Sequence, residues 1–350
     1  MTPKERVEAT LLGRPHDGVP FTVYESLLPR GEAERRLRND GLCVLVHPPA
    51  FRTVLRQVTE ETVRFTGADG QPRLRHVVRT PAGNLTSVVR DLGYTHWTEE
   101  YPFKTAGDYE ALEAMVQDRQ YVPDYEAFTA RQALWGEDGF SAASLDYSPL
   151  MTIIVRLMGV EQFSIQWAEN RERVLRLYEA LTEDVRKQYP VVADSPASVV
   201  GYCGNVSPQV VGVERFERYI LPHYDELAEA LHAKGKLLYV HLDADNWPLA
   251  RGIASSKVDI IEAFTPSPTC DMTVAEARQV WPDKVLWVNF PSSVHLEGPE
   301  AVEAMTRRII GEAAPAERFL MGITEDTPPD RWAANYAAIL RACATDSETD

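Results

Sequence analysis

Cysteine is scarce in this 350-residue chain: Cys43, Cys203, Cys270 and Cys343 stand far apart, with no Cys-x-x-Cys pair. That argues against a disulfide framework and for a reduced, cytoplasmic setting. Positive charge is also short, 36 Lys and Arg against 52 Asp and Glu, for a net charge of −16 and a pI near 5.0. Such a surface repels nucleic acid and anionic membranes, and an acidic substrate would need a local basic pocket. No long apolar stretch follows the N-terminus, so neither a signal peptide nor a transmembrane helix is expected. Internal repeats and low-complexity tracts are missing. Gly201-Tyr202-Cys203-Gly204 lacks the spacing and the helix that a dinucleotide-binding loop requires.

What is present is a rhythm. Eight short apolar runs recur with helical segments between them: Val19–Tyr24, Leu42–Val46, Phe140–Leu145, Ser198–Cys203, Lys236–Leu242, Val258–Phe264, Val285–Asn289 and Arg318–Ile323. This alternation marks a parallel β/α fold. Glu214–Lys234 carries apolar residues at a period of 3.6 and stops at Gly235, and Thr273–Val280, Pro299–Glu312 and Arg331–Cys343 repeat the pattern. Eight strands with eight returns predict a closed (β/α)8 TIM barrel, residues 1–350 forming one domain, with a doubly wound open sheet as the competitor. Between the second and third runs the rhythm breaks. From Thr62 to Glu100 apolar and polar residues alternate around Gly67–Gly70 and Pro81–Asn84, which predicts a small antiparallel β insertion at residues 62–101. Tyr94, Trp97 and Tyr101 near its end would fill a satellite core or form a lid. Thr345–Asp350 reads as an acidic, frayed tail.

In a barrel the active site lies where the strands end. The run Leu237-Leu238-Tyr239-Val240-His241-Leu242-Asp243 ends in an imidazole and a carboxylate two residues apart, hence on one side of a strand. The other tips offer Tyr24, Asp146, Tyr147, Tyr202, Cys203, Asn289 and Glu325. Glu262 interrupts the apolar run Asp259–Phe264, and a buried acid needs a cation or a donor. His241, Asp243 and Glu262 on adjacent strands are placed to share zinc or another divalent ion; alternatively Glu262 pairs with an arginine or a substrate hydroxyl.

Several stretches, in order, resemble the uroporphyrinogen decarboxylase superfamily, whose (β/α)8 group includes corrinoid-dependent methyltransferases: Val19–Tyr24, Arg79–Leu85, Tyr101–Thr105 before Asp108-Tyr109, Ser207-Pro208 with Phe216–Pro222, and the His241 strand. The decarboxylases proper carry an Arg-Gln-Ala-Gly-Arg loop near the N-terminus that grips porphyrinogen carboxylates; here Leu27-Leu28-Pro29-Arg30-Gly31-Glu32 stands in that neighbourhood. The methyltransferase branch holds zinc through His-x-Cys on its fifth strand and a cysteine near the eighth, and the more distantly similar cobalamin-independent methionine synthases add a glutamate on the sixth. By that resemblance the histidine falls on His241 and the glutamate on Glu262. Asp243 replaces the first cysteine, and the second is lost near Met321.

A harder ligand set favours oxygen over sulfur. The resemblance therefore implies demethylation of a small, aromatic methyl ether, with a zinc-type Lewis acid and the Co(I) corrinoid (cobalamin) of a separate carrier protein as methyl acceptor. In that scheme His241 is catalytic, Glu325 or Tyr147 protonates the leaving oxygen, and Tyr24, Asp146, Tyr202, Cys203 and Asn289 contact the substrate. A homodimer is admissible, and the alternative function is a metal-free decarboxylase of a small organic acid.

Overall fold

The computed structural model describes residues 1–92 and 96–344. The chain divides into two compact units. One comprises Met1–Ala50, Asp124–Leu145 and the chain from Val192 onward, the other Phe51–Pro123 and Asp146–Val191.

The first unit is built on the eight apolar runs. They form β1 (Phe21–Tyr24), β2 (Leu42–Val46), β3 (Gly139–Ser141, continuing past Ala142 as Ala143–Leu145), β4 (Val199–Tyr202), β5 (Leu237–His241), β6 (Ile260–Phe264), β7 (Val285–Asn289) and β8 (Phe319–Ile323). All pair in parallel with their sequence neighbours, β3 bonding β2 through its first part and β4 through its second, and β8 returns to β1. The ring closes as a TIM barrel, and the open doubly wound sheet is excluded. Continuous apolar runs suit strands covered on both faces.

Side chains pointing inward fill the barrel. Phe140, Tyr239 and Trp287 meet at mid-height, with ring centroids 6.3 and 6.4 Å from Trp287. The helix Pro3–Leu11 adds Val7 and Leu11 to the same cluster. Two glycines make room for this packing: a Cβ on Gly201 would lie 2.0 Å from Tyr239 Cζ, and one on Gly322 3.2 Å from Trp287 Nε1. The Trp287 indole N–H donates to Thr22 Oγ1 at 2.8 Å across the interior.

The returning helices follow the expected periodicity, with one correction. Glu214–Lys234 is two helices, Val213–Tyr219 and Leu221–His232. Pro222 has no amide to continue the first ladder, so the chain bends at Ile220.

The second unit contains the expected antiparallel sheet, with strands Thr59–Thr66, Pro72–Thr80, Gly83–Asp91 and His96–Glu100 turning where the glycines predicted. Leu85 is buried where the helix Tyr109–Gln117 packs. A short pair, Phe51–Val54 with Gln120–Pro123, was not legible in the sequence. Trp97 is 68% exposed, whereas Tyr101 lies against Gly159. Tyr94 and the Thr345–Asp350 tail fall outside the described residues. Among the described residues no helix is long and apolar enough to cross a membrane.

Thr22→Val keeps the shape of the side chain but strands the buried Trp287 donor. Stability measured by urea unfolding is expected to fall by about 1–3 kcal/mol.

Candidate active site

Three strand ends converge through a chain of hydrogen bonds at the barrel mouth. Glu262 lies in β6 opposite His241 in register, with its side chain buried. The ladder between β6 and β7 slips between Glu262 and Phe264, and Ala263 adopts the left-handed region with φ of 57°. A bulge of this kind re-aims neighbouring side chains. One Glu262 oxygen accepts from the Tyr24 hydroxyl at 2.5 Å; the other is 2.7 Å from His241 Nδ1. Nε2 of the same imidazole faces Asp243 at 3.4 Å, and Asp243 accepts from the Asn205 amide at 2.9 Å.

An imidazole bracketed by carboxylates holds its proton. Burial alone would push His241 down, but the charge of Glu262, hydrogen bonds to Asp243 and Glu262, and the charge of Asp243 outweigh it and raise the group to about 10. Burial and the adjacent Glu262 push the Tyr24 phenol well above its ordinary range, so it serves as a donor.

Sequence reasoning missed His47, the first residue past β2, and Tyr239. The His47 ring stands edge-on to Tyr24 at 5.0 Å and 6.3 Å from Tyr239. Burial lowers its basicity, Glu262 opposes that, and the charge on His241 lowers it further. The mouth thus pairs a charged imidazole with a neutral one. A polar residue ending an apolar run, before Pro48-Pro49, was the available signal.

The other expected residues are distributed unevenly. Cys203 reaches the mouth, its sulfur 4.0 Å from the Tyr239 hydroxyl. Tyr202 is buried on the helix side of β4 against Tyr224. Asn289 is buried, its amide donating to Thr265 and its carbonyl accepting from the Thr324 amide. Glu325 stands in a rim of carboxylates with Asp243, Asp245 and Asp271 around Cys270; burial first, then these charges, push that thiol up to about 12. Asp146 and Tyr147 belong to the second unit.

The family model for uroporphyrinogen decarboxylase (URO-D) matches residues 130–345, well over half of the sequence. The chain belongs to the uroporphyrinogen decarboxylase family. No functionally curated protein matches it. Among solved structures, a methyltransferase from Methanosarcina mazei is 12% identical over 99% of both chains, with a TM-score of 0.61. That likeness shows a shared fold. A glycoside hydrolase family 5 enzyme from Prevotella bryantii B14, 9% identical over 98% of both chains, reaches a TM-score of 0.44, too low to bear on function.

Two features set this member of the uroporphyrinogen decarboxylase family apart from what its relatives imply. Arg30, in the neighbourhood of their carboxylate-gripping loop, is tied to Glu25 at 2.8 Å and stacked 4.1 Å over Trp135. The zinc that the resemblance implies also meets a different donor set. His241, Asp243 and Glu262 do come together, but both Glu262 oxygens are engaged by Tyr24 and His241. Among the described residues, no group of three His, Cys, Asp or Glu side chains is arranged to hold a metal ion. An ion at Nε2 would have to displace the proton that the two carboxylates stabilise. As placed, these residues do not fit a three-ligand zinc centre.

Glu262→Gln retains the shape of the site and removes the charge beside Nδ1. The His241 ring titration, followed by NMR, is expected to shift downward from about 10. The sign for stability follows from linkage. In the wild type the contribution of His241 is fully present below its ordinary 6.5 and is lost as pH rises through about 10. The variant should show a weaker dependence, with Asp243 alone left to hold the proton.

Proposed function

We propose that the protein demethylates a small aromatic methyl ether, with His241 as the acid that protonates the leaving oxygen. The observation that carries this reading is the imidazolium fixed between Glu262 and Asp243 at a strand tip. Its Nε2 holds Asp243 at 3.4 Å, a long and weak contact that a substrate oxygen can displace to take up the proton. The methyl–oxygen bond breaks, the methyl group passes to the acceptor, and the oxygen leaves with the His241 proton as a phenol. An acid held at about 10 matches a phenol, whose ordinary value is also about 10, so the transfer is nearly balanced.

The acceptor is the Co(I) corrinoid of a separate carrier protein, which supplies the strong nucleophile that an ether carbon demands. Tyr24 and Glu262 hold the imidazole in orientation, and the neutral His47 with Tyr24 offers aromatic surface. The methyltransferase that shares the fold supports this reading by analogy. Decarboxylation of a small acid would use the same proton chain, but the rim of Asp243, Asp245, Asp271 and Glu325 repels a carboxylate and favours a neutral substrate.

Mixing the protein with reduced carrier and a panel of aromatic methyl ethers should release phenol and change the visible spectrum of the carrier. His241→Ala is expected to slow release by about 10²–10⁴-fold. The wild-type rate should fall as pH rises through about 10, and the Glu262→Gln rate should fall at lower pH. Release that is indifferent to His241, or no release from any ether, would refute the proposal.

A further inference from the structure

The second unit holds a cavity of about 240 Å³ that methyl transfer leaves unused. Asp146 and Tyr147, which the sequence marks as site residues, line it. One wall is the π-helical segment Thr152–Met158, from which Thr152, Arg156 and Leu157 face the cavity. Such i→i+5 turns are rare and recur at functional sites, because the widened turn redirects side chains. This one is pinned to the loop before it. Thr152 donates through its amide to Ser148 O at 2.8 Å and through its hydroxyl to Tyr147 O at 3.0 Å. Arg156 reaches Asp146 at 3.2 Å and lies 4.7 Å over the Tyr147 ring.

A second wall comes from the helix Arg171–Arg186, which presents Leu181, Asp184 and Val185. Asp184 is 2% exposed and satisfied: it accepts from the Tyr121 hydroxyl at 2.7 Å and pairs with Arg119 and Lys187, each at 3.4 Å. The charges that line the cavity balance, Arg119 and Arg156 against Asp146 and Asp184, and Lys187, outside the lining, shares the charge of Asp184 with Arg119. Among the described residues the Arg119 guanidinium makes one ion pair, through one of its five N–H donors, and remains partly exposed in the cavity wall. A forked cation beside Leu157, Leu181 and Val185 is chemistry for an anion with an apolar body.

We propose that this cavity binds a small monocarboxylate with an apolar body, its carboxylate clasped by Arg119 and its body laid on Leu157, Leu181 and Val185. The assignment does not rest on the methyl-transfer reading.

Calorimetric titration of the full chain with benzoate, benzamide and inorganic phosphate tests it. Benzoate should bind one to one, with benzamide at least about tenfold weaker for want of the charge-assisted pair, and phosphate weaker for want of the body. Arg119→Lys keeps the charge but loses the fork, and should weaken benzoate about tenfold in protein whose circular dichroism is unchanged. The benzoate–benzamide contrast is read on the wild type, so it stands even if the variant misfolds. No benzoate binding, equal binding of benzamide, tighter binding of phosphate, or benzoate affinity untouched in folded Arg119→Lys would each overturn the assignment.

Discussion

A carboxylate sealed inside a barrel wall is the constraint from which the site follows. Glu262 has no access to water, so burying it without partners would be costly. The structure meets that cost with the Tyr24 hydroxyl on one oxygen and the His241 imidazole on the other. Each partner is altered in turn: the phenol is confined to donating and the imidazole to keeping its proton. One buried charge thus sets the protonation of two strand tips.

The second histidine shows the same logic in reverse. His47 lies among aromatic rings without a carboxylate against it, and burial keeps it neutral. Two copies of one side chain, within one mouth, hold opposite protonation preferences because Glu262 bonds His241 directly, whereas for His47 burial outweighs the charge of the same carboxylate. Beneath them the interior is tightly fitted, with Trp287 held by Thr22 and two glycines opened for large rings. That rigidity is what allows hydrogen-bond lengths at the mouth to be well defined.

Charge is sorted across the molecule as well. The barrel rim gathers Asp243, Asp245, Asp271 and Glu325, in keeping with the acidic balance of the whole chain. In the second unit the cavity carries paired charges, Arg119 and Arg156 against Asp146 and Asp184, so the two places suit different ligands.

Much of this was legible in the sequence. The apolar runs predicted all eight staves, and the glycine-bearing turns placed the inserted sheet, because side-chain periodicity and turn chemistry are local properties of the chain. The convergence of His241, Asp243 and Glu262 was also readable, since adjacent parallel strands in sequence order bring their ends together. Which atoms then bond to which was decided only by the tertiary structure. Tyr24 meets Glu262 across 238 positions of sequence, and closure of β8 onto β1 makes that meeting possible. Tyr202 turned to the helices, Asn289 was engaged within the wall, and Glu262 was satisfied by a phenol and an imidazole rather than left open to an ion. Strand phase decides which way a side chain points, but a hydrogen-bond partner is a matter of ångströms between distant segments, and no local pattern encodes that distance.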